Sequence, residues 1–482
     1  MLPETGHYTG TFRLASALRA RGHRVVYLGL ADFEDLVTSR GFEFVAFAAD
    51  LLPRGYVAKF AASLGRDARR GAGAWFWRRV PLAAGPVGRG PRGEDQALFS
   101  AWLDRVTGGA LDAAIRACRP NLVLCDPFVW YVGLRALRLA IPTLNLYIVL
   151  QHHANSHIPP VLTSMRPAKT ALASLAVRLA WWRMHAEFFV TKRLASALIG
   201  AYRFPTRVHH LEDVFQHVAR HSGFEAIEGK TYWRGEMGPW LDLPAVVLCP
   251  RTFEFAEADV ANKCFIGDIV DLERVEAPLE MAGAAMQADP RARHDDASRS
   301  AALPDATAES PLIYASLGTS AHFYPHAPRF FRAMAGVAAR RPDWRVVLHI
   351  GDHADPALSH TVLPNLTLAR RVPQLAILSR ASAMVTHGGM NSILECVRFQ
   401  VPMVIVPAMR DQPGNAARAV DHGIALATRM SRVTAPRLET LIERVRGDAV
   451  IRRALAEMKR RIDAEPGLDA AVEFIERRSR TA

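Results

Sequence analysis

The sequence predicts an α/β protein made of two Rossmann-like domains that face each other across a cleft. Three observations favour this fold. Short apolar runs alternate with helical patterns in the first half of the chain, the same alternation begins again after residue 310, and a polar segment separates the two series. Alternating strands and helices are typical of parallel sheets covered by helices. The length of 482 residues also exceeds that of one ordinary domain.

The first series defines a predicted N-terminal domain over residues 1–275. Its strand-like runs are rich in Val, Ile, Leu and Tyr, as strands buried on both faces require. They are residues 23–30, 42–47, 122–126 and 143–148. A helical pattern of apolar residues precedes the first of them, over residues 11–21.

Residues 276–310 form a predicted flexible linker, because they contain no aromatic residue, Ile or Val that could start a core. The second domain, residues 311–482, repeats the alternation. Its strand-like runs are residues 312–317, 345–350, 383–386, 403–406 and 424–428. Its helical stretches are residues 329–340, 391–398, 415–422 and 436–446.

The charge first suggests a nucleic-acid partner, since 60 basic and 47 acidic residues give a net charge of +13. Nearly all the basic residues are Arg spread along the chain, which favours a compositional bias, and we predict no nucleic-acid partner. The five Cys residues are scattered and form no CxxC pair, as in a reduced cytoplasmic protein. We find no long apolar run and no signal peptide, so we expect a cytoplasmic protein that is at most peripheral at the inner face of the membrane.

Two short motifs are discounted as ligand sites. Residues 88–93 match GxGxxG, but they follow no predicted strand, open no predicted helix and contain Pro91. We therefore predict a loop there and no bound cofactor. The histidines His152, His153 and His157 lack Cys, Asp or Glu partners at metal-binding spacing, so no metal site is predicted.

The most informative stretch is THGGMNSILE, residues 386–395, which follows a strand-like run. Two glycines let the backbone approach a ligand closely. Asn391 and Ser392 lie where a helix begins, so free N–H groups and the helix dipole favour a bound anion. Glu395 lies one turn further along on the same face. The alternative is a glycine turn with Asn391 as an ordinary helix N-cap.

A second polar pair, Asp411 and Gln412, follows the strand-like residues 403–406. Ligands of open α/β sheets bind at the carboxyl ends of the strands. An Asp beside a Gln can accept from and donate to vicinal hydroxyls, as sugar recognition requires. The two stretches together favour a ligand site over a plain turn.

The run from residue 372 to residue 415 resembles the donor-binding signature of family 1 UDP-glycosyltransferases, which have the GT-B fold. The matching residues are Val372-Pro373-Gln374, His387-Gly388-Gly389, Asn391-Ser392, Glu395, Pro402, Asp411-Gln412 and Asn415. The loop of residues 316–319 resembles the family's Gly/Ser/Thr loop, and Gly6-His7 with residues 21–25 resembles the opening of its acceptor domain.

The resemblance implies a role for each matched residue. The donor diphosphate would be held by His387, Gly389, Asn391 and Ser392, with the loop of Ser316, Gly318 and Thr319 on its other side. Glu395 would bind the ribose hydroxyls, Gln374 and the Val372 backbone would face the uracil, and Asp411 and Gln412 would hold the hexose. Many relatives stack an aromatic residue on the base. This chain has Arg370-Arg371 there, and the guanidinium of Arg371 can also stack, so UDP and dTDP both stay open.

His7 and Asp126 form the predicted catalytic pair. Imidazole titrates near working pH and suits a general base that deprotonates an acceptor hydroxyl. Asp126, which ends the strand-like residues 122–126, resembles the family's partner carboxylate and would orient His7. The resemblance thus implies an inverting, metal-independent transferase. It would move a hexose, glucose by preference over glucuronic acid, galactose or a deoxysugar, from a UDP-sugar co-substrate to a small lipophilic acceptor.

Further functions stay open. All but one of the nine Trp residues lie in the first half, and two clusters, residues 75–79 and 181–183, combine aromatic and basic residues. They indicate either a membrane-surface transferase that forms glycolipids or, as the preferred interpretation, core aromatics beside solvated Arg. A UDP-sugar 2-epimerase of the same fold and a catalytically silent binding homologue are two more candidate functions.

The resemblance also concerns the start of the chain. In the family an apolar strand precedes the Gly-His turn, whereas Met1 lies too close to His7 to leave room for one. We therefore expect that the sequence begins one buried strand late.

Overall fold

A computed structural model describes residues 4–57, 59, 92–150, 155–198, 217–223, 232–235, 238–256, 258, 261–282, 310–319, 321, 324, 326–351, 358 and 363–480. Its contacts divide the chain into two compact units. The first contains Met1–Pro160, Pro167–Ile269 and Glu465–Ala482, and the second contains Val161–Arg166 and Val270–Ala464.

The first unit is built from short strands and helices. Its strands are β1 (Val26–Gly29), β2 (Glu43–Ala46), β3 (Val123–Cys125), β4 (Thr143–Tyr147), β5 (Tyr232–Gly235), β6 (Gly238–Leu241), β7 (Ala245–Val247) and β8 (Lys263–Phe265). Its helices begin with α1 (Thr5–Thr9), α2 (Phe12–Ala20), α3 (Glu34–Thr38), α4 (Arg92–Thr107), α5 (Ala110–Cys118), α6 (Trp130–Arg138) and α7 (Ala171–Leu198).

The strands of the first unit form a parallel pair β1-β2, a four-stranded parallel sheet in the order β3-β4-β7-β8, and the antiparallel hairpin β5-β6. The predicted parallel α/β character is confirmed. Strands β5 to β8 have only three or four residues each, too few for a clear apolar period, and the sequence did not predict them.

The discounted GxGxxG match needs one correction. Residues 88–91 lie outside the described residues, but helix α4 begins at Arg92, inside the motif. The prediction that no helix begins in the motif was therefore wrong, because Arg92 and Gly93 are helical. A helix can begin directly after Pro91, since proline cannot continue a helix but is tolerated where one starts.

The second unit contains a seven-stranded sheet. Its strands are β9 (Glu280–Met281), β10 (Leu312–Ser316), β11 (Arg345–His349), β12 (Leu366–Arg371), β13 (Ala383–Thr386), β14 (Met403–Ile405) and β15 (Ala425–Ala427). Its helices are α8 (Ala327–Arg340), α9 (Gln374–Leu378), α10 (Met390–Arg398), α11 (Gln412–Asp421), α12 (Ala435–Gly447) and α13 (Ala449–Asp463).

The strand order β15-β14-β13-β10-β11-β12-β9 places the switch point of the sheet between β10 and β13. The chain builds outward from β10 in one direction and then returns to β13 to build in the other. All pairings are parallel except that of β9 with β12. Open α/β sheets bind ligands at the carboxyl ends of the strands beside such a switch point.

Two segments concern the predicted domain boundaries. Strand β9, within the predicted linker of residues 276–310, covers the edge of the second sheet by pairing with β12. Residues 283–309 lie outside the described residues. The last helix, α14 (Leu468–Arg480), belongs to the first unit, where it contacts α2 and β8 and where Glu476 pairs with Arg21 and His23.

Candidate active site

His7 and Asp126 come from distant parts of the sequence and meet in the first unit. The imidazole Nδ1 of His7 lies 2.8 Å from Oδ2 of Asp126. The His7 side chain is 12% exposed and that of Asp126 is 1% exposed. A buried carboxylate therefore has a partner, and the imidazole is partly exposed.

Packing beneath α1 holds His7 in place. The next residue, Tyr8, is fully buried and stacks on Phe33 with ring centroids 4.5 Å apart. It belongs to an aromatic cluster that also contains Phe12 and Phe42. The helix has only five residues, so this packing rather than helix propensity stabilises it.

Asp126 is held by the turn that follows β3. Its Oδ1 accepts a hydrogen bond of 3.0 Å from the Phe128 N–H, and so caps a 3-10 turn at Pro127–Val129. The Phe128 ring meets the His7 ring edge to face at 5.7 Å. One carboxylate thus binds both the turn and the imidazole, and the turn supplies a ring that limits the rotation of the imidazole.

The hydrogen bond defines the tautomer of His7. When Asp126 is ionised it can only accept hydrogen bonds, and the proton is then on Nδ1 of His7 and the lone pair on Nε2. The surroundings are apolar and aromatic. Burial raises the pKa of Cys125 to about 12 and raises the pKa of Tyr131 and Tyr147 well above the usual range. The Cys125, Tyr131 and Tyr147 groups therefore stay protonated at neutral pH.

The second set of predicted residues meets at the switch point of the second sheet. The last residues of β10 and β13, Ser316 and Thr386, are register partners. The loops that follow them enclose His387. A Cβ on Gly318 would lie 2.6 Å from Cε1 of His387, and a Cβ on Gly389 would lie 2.5 Å from its Nε2. The imidazole therefore occupies space that only glycines leave open.

The surroundings of His387, which is half-buried, keep its imidazole neutral. Desolvation lowers the pKa of the imidazole from 6.5 to about 4, although a hydrogen bond with the Ser316 backbone opposes the shift. His387 is therefore neutral at pH 7. It can offer an anion a hydrogen bond but not a full positive charge.

The N-terminus of α10 lies directly after this loop. Gly389 is the N-cap and has no side chain to bond the first turn, so the helix begins at Met390. Asn391 is thus the second helical residue, and the interpretation that it is an ordinary N-cap was wrong. Ser392 is the third. The N–H groups of a first turn have no partner within the helix and favour an anion.

In the loop after β10, Ser316 is buried and hydrogen-bonded within the protein, whereas Thr319 is exposed. Ser316 is 1% exposed, its Oγ lies 3.0 Å from Nδ1 of His349, and it accepts a hydrogen bond of 3.0 Å from the Gly318 N–H. Gly318 has a φ of +75°, in the left-handed region that favours glycine. Thr319 lies in the following turn with an exposed side chain.

The predicted hexose pair has unequal exposure. Gln412 is 4% exposed; its Oε1 accepts from the N–H groups of Ala408 and Met409, and its Nε2 donates to the Tyr324 hydroxyl at 2.8 Å. Gln412 thus organises its own loop. Asp411 is less buried, and its Oδ2 accepts a bond of 2.8 Å from Asn415.

Asn415 connects the two loops that carry Asp411 and His387. It is fully buried on α11 and donates a second hydrogen bond, of 3.0 Å, to the carbonyl of Gly388. Gly388 itself has a φ of +87° and faces Ile405 of β14. The Asp411 loop and the glycine loop at His387 are therefore held together.

Glu395 and Gln374 are also brought together. Nε2 of Gln374 donates to Oε2 of Glu395 at 2.5 Å, and the Tyr314 hydroxyl donates to Oε1 of Gln374 at 2.8 Å. The other carboxylate oxygen of Glu395 bonds Arg274. Arg274 and Tyr314 lie outside every motif that the sequence singled out.

The predicted base-stacking residue lies apart from this network. Arg371 ends β12 with 70% of its side chain exposed, and its Nε lies 3.3 Å from Oε2 of Glu280 on β9. An exposed ion pair of this kind is weak and can exchange. Val372 follows in the connection to α9 and is half-buried.

Comparison with known proteins agrees with this arrangement. Residues 334–476 match the family described as Erythromycin biosynthesis protein CIII-like, C-terminal domain. Over 166 residues the chain is 32% identical to NDP-glycosyltransferase YjiC of Bacillus licheniformis, a match that covers 34% of this chain and 41% of the relative. Over 165 residues it is 30% identical to oleandomycin glycosyltransferase of Streptomyces antibioticus, covering 34% and 38%. The matched part is thus about two fifths of each relative.

Solved structures extend the similarity to the whole fold. The glycosyltransferase of kitacinnamycin superposes with a TM-score of 0.61 and 24% identity, covering 99% of this chain and 96% of that one. The chain therefore has the GT-B fold, and its C-terminal part is similar to glycosyltransferases.

Arg274 is the residue of this GT-B chain whose place beside the predicted donor site was least recognisable from the sequence. Its neighbours in sequence match no donor motif, and it is recognisable only because the fold brings it to Glu395. The signal available in the sequence was weak: a lone Arg two residues before Glu276, where the predicted linker starts.

Among the residues the structure describes, no helix combines the length and the apolar character that crossing a membrane requires.

Proposed function

We propose that this chain is an inverting glycosyltransferase that moves a hexose from a nucleotide sugar to a hydroxyl group of a lipophilic acceptor. The observation that carries the proposal is the hydrogen bond between His7 and Asp126, which makes Nε2 of His7 a base. The predicted donor loops at His387 and α10 support it, and so does the similarity of the C-terminal part to NDP-glycosyltransferases.

His7 activates the acceptor in this proposal. Its Nε2 takes the proton of the acceptor hydroxyl, and the oxygen forms a bond to the anomeric carbon as the bond from that carbon to the diphosphate oxygen breaks. Attack on the face opposite the leaving group inverts the anomeric centre. Asp126 stabilises the imidazolium that forms, and general-base catalysis of this kind contributes roughly 10²- to 10⁴-fold.

The second unit binds the donor in this proposal. The first-turn N–H groups of α10 and the neutral imidazole of His387 hold the diphosphate and stabilise the charge that develops as it leaves. These groups perform the role without a metal ion. Glu395 receives the ribose hydroxyls, Gln374 faces the base, and Asp411 contacts the hexose.

The donor and the acceptor are part of the same proposal. We assign UDP-glucose as the donor, because the adjacent Asp411 and Gln412 match the hexose-binding pair of the family, and dTDP-sugars are the competing class. We assign a lipophilic acceptor because aromatic side chains surround the base. The Phe128 ring contacts His7, and the Tyr131 and Tyr147 hydroxyls are near enough to Asp126 for its charge to raise their pKa.

One experiment separates the candidate functions. The protein is incubated with labelled UDP-glucose, with and without a panel of lipophilic alcohols. A new glycoside supports the proposal, and a labelled epimer formed without acceptor supports a 2-epimerase. If nucleotide binds but the label stays unchanged with every acceptor, the chain is a binding homologue. A thermal-shift screen of UDP- and dTDP-sugars identifies the donor.

A specific observation favours a membrane-surface version of this function. Helix α7 exposes a stripe of large apolar side chains, Leu172, Leu175, Leu179 and Trp182, at 78%, 53%, 55% and 68% exposure. Spacings of three and four residues put them on one helix face. Trp181, by contrast, is 3% exposed and donates to the carbonyl of Ile158, so the core interpretation holds for one Trp of the pair.

The charges around this stripe indicate an anionic partner. Lys169, Arg178 and Arg183 are exposed, and residues 155–186 contain no Asp or Glu. Apolar residues between cations are typical of helices that lie in the interface of anionic membranes. We therefore propose peripheral contact of α7 with anionic lipid, which would bring a lipid acceptor to the enzyme.

A further inference from the structure

Arg274 joins two carboxylates in the second unit. One terminal nitrogen of its guanidinium bonds Oε1 of Glu395. Its Nε and its other terminal nitrogen donate to Oε1 of Glu276, at 3.1 and 2.8 Å. All three side chains are at least largely buried, with exposed fractions of 25% for Arg274, 15% for Glu276 and 4% for Glu395. The guanidinium thus bridges two different elements.

Glu276 fixes the position of this bridge. Its Oε2 accepts a hydrogen bond of 2.9 Å from the Leu375 N–H in the first turn of α9. A carboxylate at a helix N-terminus is favoured by the free N–H groups and by the dipole. Arg274 is therefore held between the start of α9, which carries Gln374, and α10, which carries Glu395.

The bridge leaves acceptor positions on Glu395. In the described part of the chain, Oε1 accepts from Arg274 and Oε2 accepts from Gln374. A carboxylate has about four lone-pair positions. Each carboxylate oxygen of Glu395 thus keeps one lone-pair position for a further hydrogen-bond donor. Two neighbouring hydroxyl groups of a ligand could donate to these two positions.

The bridge also balances charge. Glu276 and Glu395 carry two negative charges beside a site that would receive an anionic diphosphate, and Arg274 neutralises one of them. Burial alone would lower the pKa of Arg274, but attraction to Glu395 and Glu276 raises it. Removal of one partner of a buried ion pair leaves the other charge uncompensated, which is strongly unfavourable.

We propose that Arg274 is a positioning residue of the donor site, which orients and neutralises Glu395 so that this carboxylate can bind the ribose of the donor nucleotide. The inference rests on the proposed function and adds a residue to it. It assigns to Arg274 an effect on nucleotide affinity that passes through Glu395.

The test measures UDP binding by titration calorimetry, beside the melting temperature of each variant. Arg274→Met should weaken UDP binding about tenfold or more, as expected when a hydrogen bond to a charged group is lost. Arg274→Lys keeps the charge and should recover part of that affinity. In turnover, KM for the donor should rise more than kcat falls, since the lost interaction serves binding. Arg340→Met is the matched control, because it removes an ion pair with Glu439 elsewhere in the unit.

A double-mutant cycle with Glu395→Gln tests the route of the effect. If Arg274 acts through Glu395, then Arg274→Met should cost little further affinity once Glu395 is Gln. Additive losses would overturn the inference, and so would unchanged or tighter UDP binding by Arg274→Met. A wild-type protein that binds neither UDP nor dTDP would instead overturn the proposed function and this inference together.

Discussion

Nδ1 of His7 lies 2.8 Å from Oδ2 of Asp126, although 119 positions separate the two residues in the chain. The contact joins the five-residue helix α1 to the residue that follows strand β3. A carboxylate that is 1% exposed and bonded to a partly exposed imidazole is typical of a general base with its orienting partner. This relationship is the basis of the functional proposal.

Asp126→Asn tests the role of the partner. The amide oxygen can still accept from the Phe128 N–H, so the 3-10 turn should persist. The charge that stabilises the imidazolium is lost, and kcat should fall roughly 10²- to 10⁴-fold. Steady-state kinetics and a melting curve of the same sample check this. A variant that melts like the wild type and keeps its kcat would show that Asp126 has no catalytic role.

Gly389→Ala tests the packing around His387. The new Cβ would lie 2.5 Å from Nε2 of His387, closer than real contacts permit, so the imidazole must move. Nucleotide affinity should fall at least about tenfold, because the loop that would hold the diphosphate is displaced. Gly447→Ala is the control, since nothing lies within 4 Å of that position. Equal UDP affinity for both variants would argue against a ligand contact at His387.

Acidification should destabilise the protein through His387. Its pKa is about 4 in the folded protein and close to its ordinary value of 6.5 in the unfolded chain, so the unfolded chain binds more protons between these values. The contribution of His387 to the unfolding free energy therefore keeps its full value above about pH 6.5. It falls by about 3 kcal/mol in total as the pH falls toward 4.

The check is denaturant unfolding at pH 7 and at pH 5 for the wild type and for His387→Gln. The wild type should lose more unfolding free energy than the variant over this interval. His157→Gln changes an exposed histidine and should behave like the wild type. An equal pH response of all three proteins would contradict a lowered pKa of His387 in the folded protein.

The apolar stripe of α7 can be tested with vesicles. Leu179→Gln combined with Trp182→Gln should reduce co-sedimentation with vesicles that contain phosphatidylserine, and salt should weaken the wild-type binding. Val450→Gln alters another exposed apolar residue, at 61% exposure, outside the stripe. Binding that is unaffected by the stripe changes, or that persists on neutral vesicles in high salt, would refute the membrane version.

The sequence could predict the fold because its central strands are continuous apolar runs. Strands β10 and β13 are buried along their whole length. Glycines in the turns that follow these strands indicated the loops predicted to bind a ligand. Strand β12 was missed because its sequence LTLARR mixes apolar and charged residues at a nearly open edge. Sequence periodicity also could not tell which of Trp181 and Trp182 faces the core.

The parts of the site that the sequence missed depend on tertiary contacts. The Arg274 bridge joins residues about a hundred positions apart, and no local pattern marks it. Gln412 shows the opposite case: its type and position match a sugar contact, but its amide is bonded to Ala408, Met409 and Tyr324. Only the folded chain shows how much of a polar side chain is already used.

The most direct test of the account is a single-turnover measurement on His7→Ala with saturating UDP-glucose and an acceptor that the wild type glycosylates, beside UDP titration of both proteins. We expect transfer by His7→Ala to be at least about 10²-fold slower than by the wild type, while its UDP affinity stays within about twofold. The reason is that the base acts on the acceptor and not on the donor. Near-normal transfer by His7→Ala would contradict the assignment of His7 as the base.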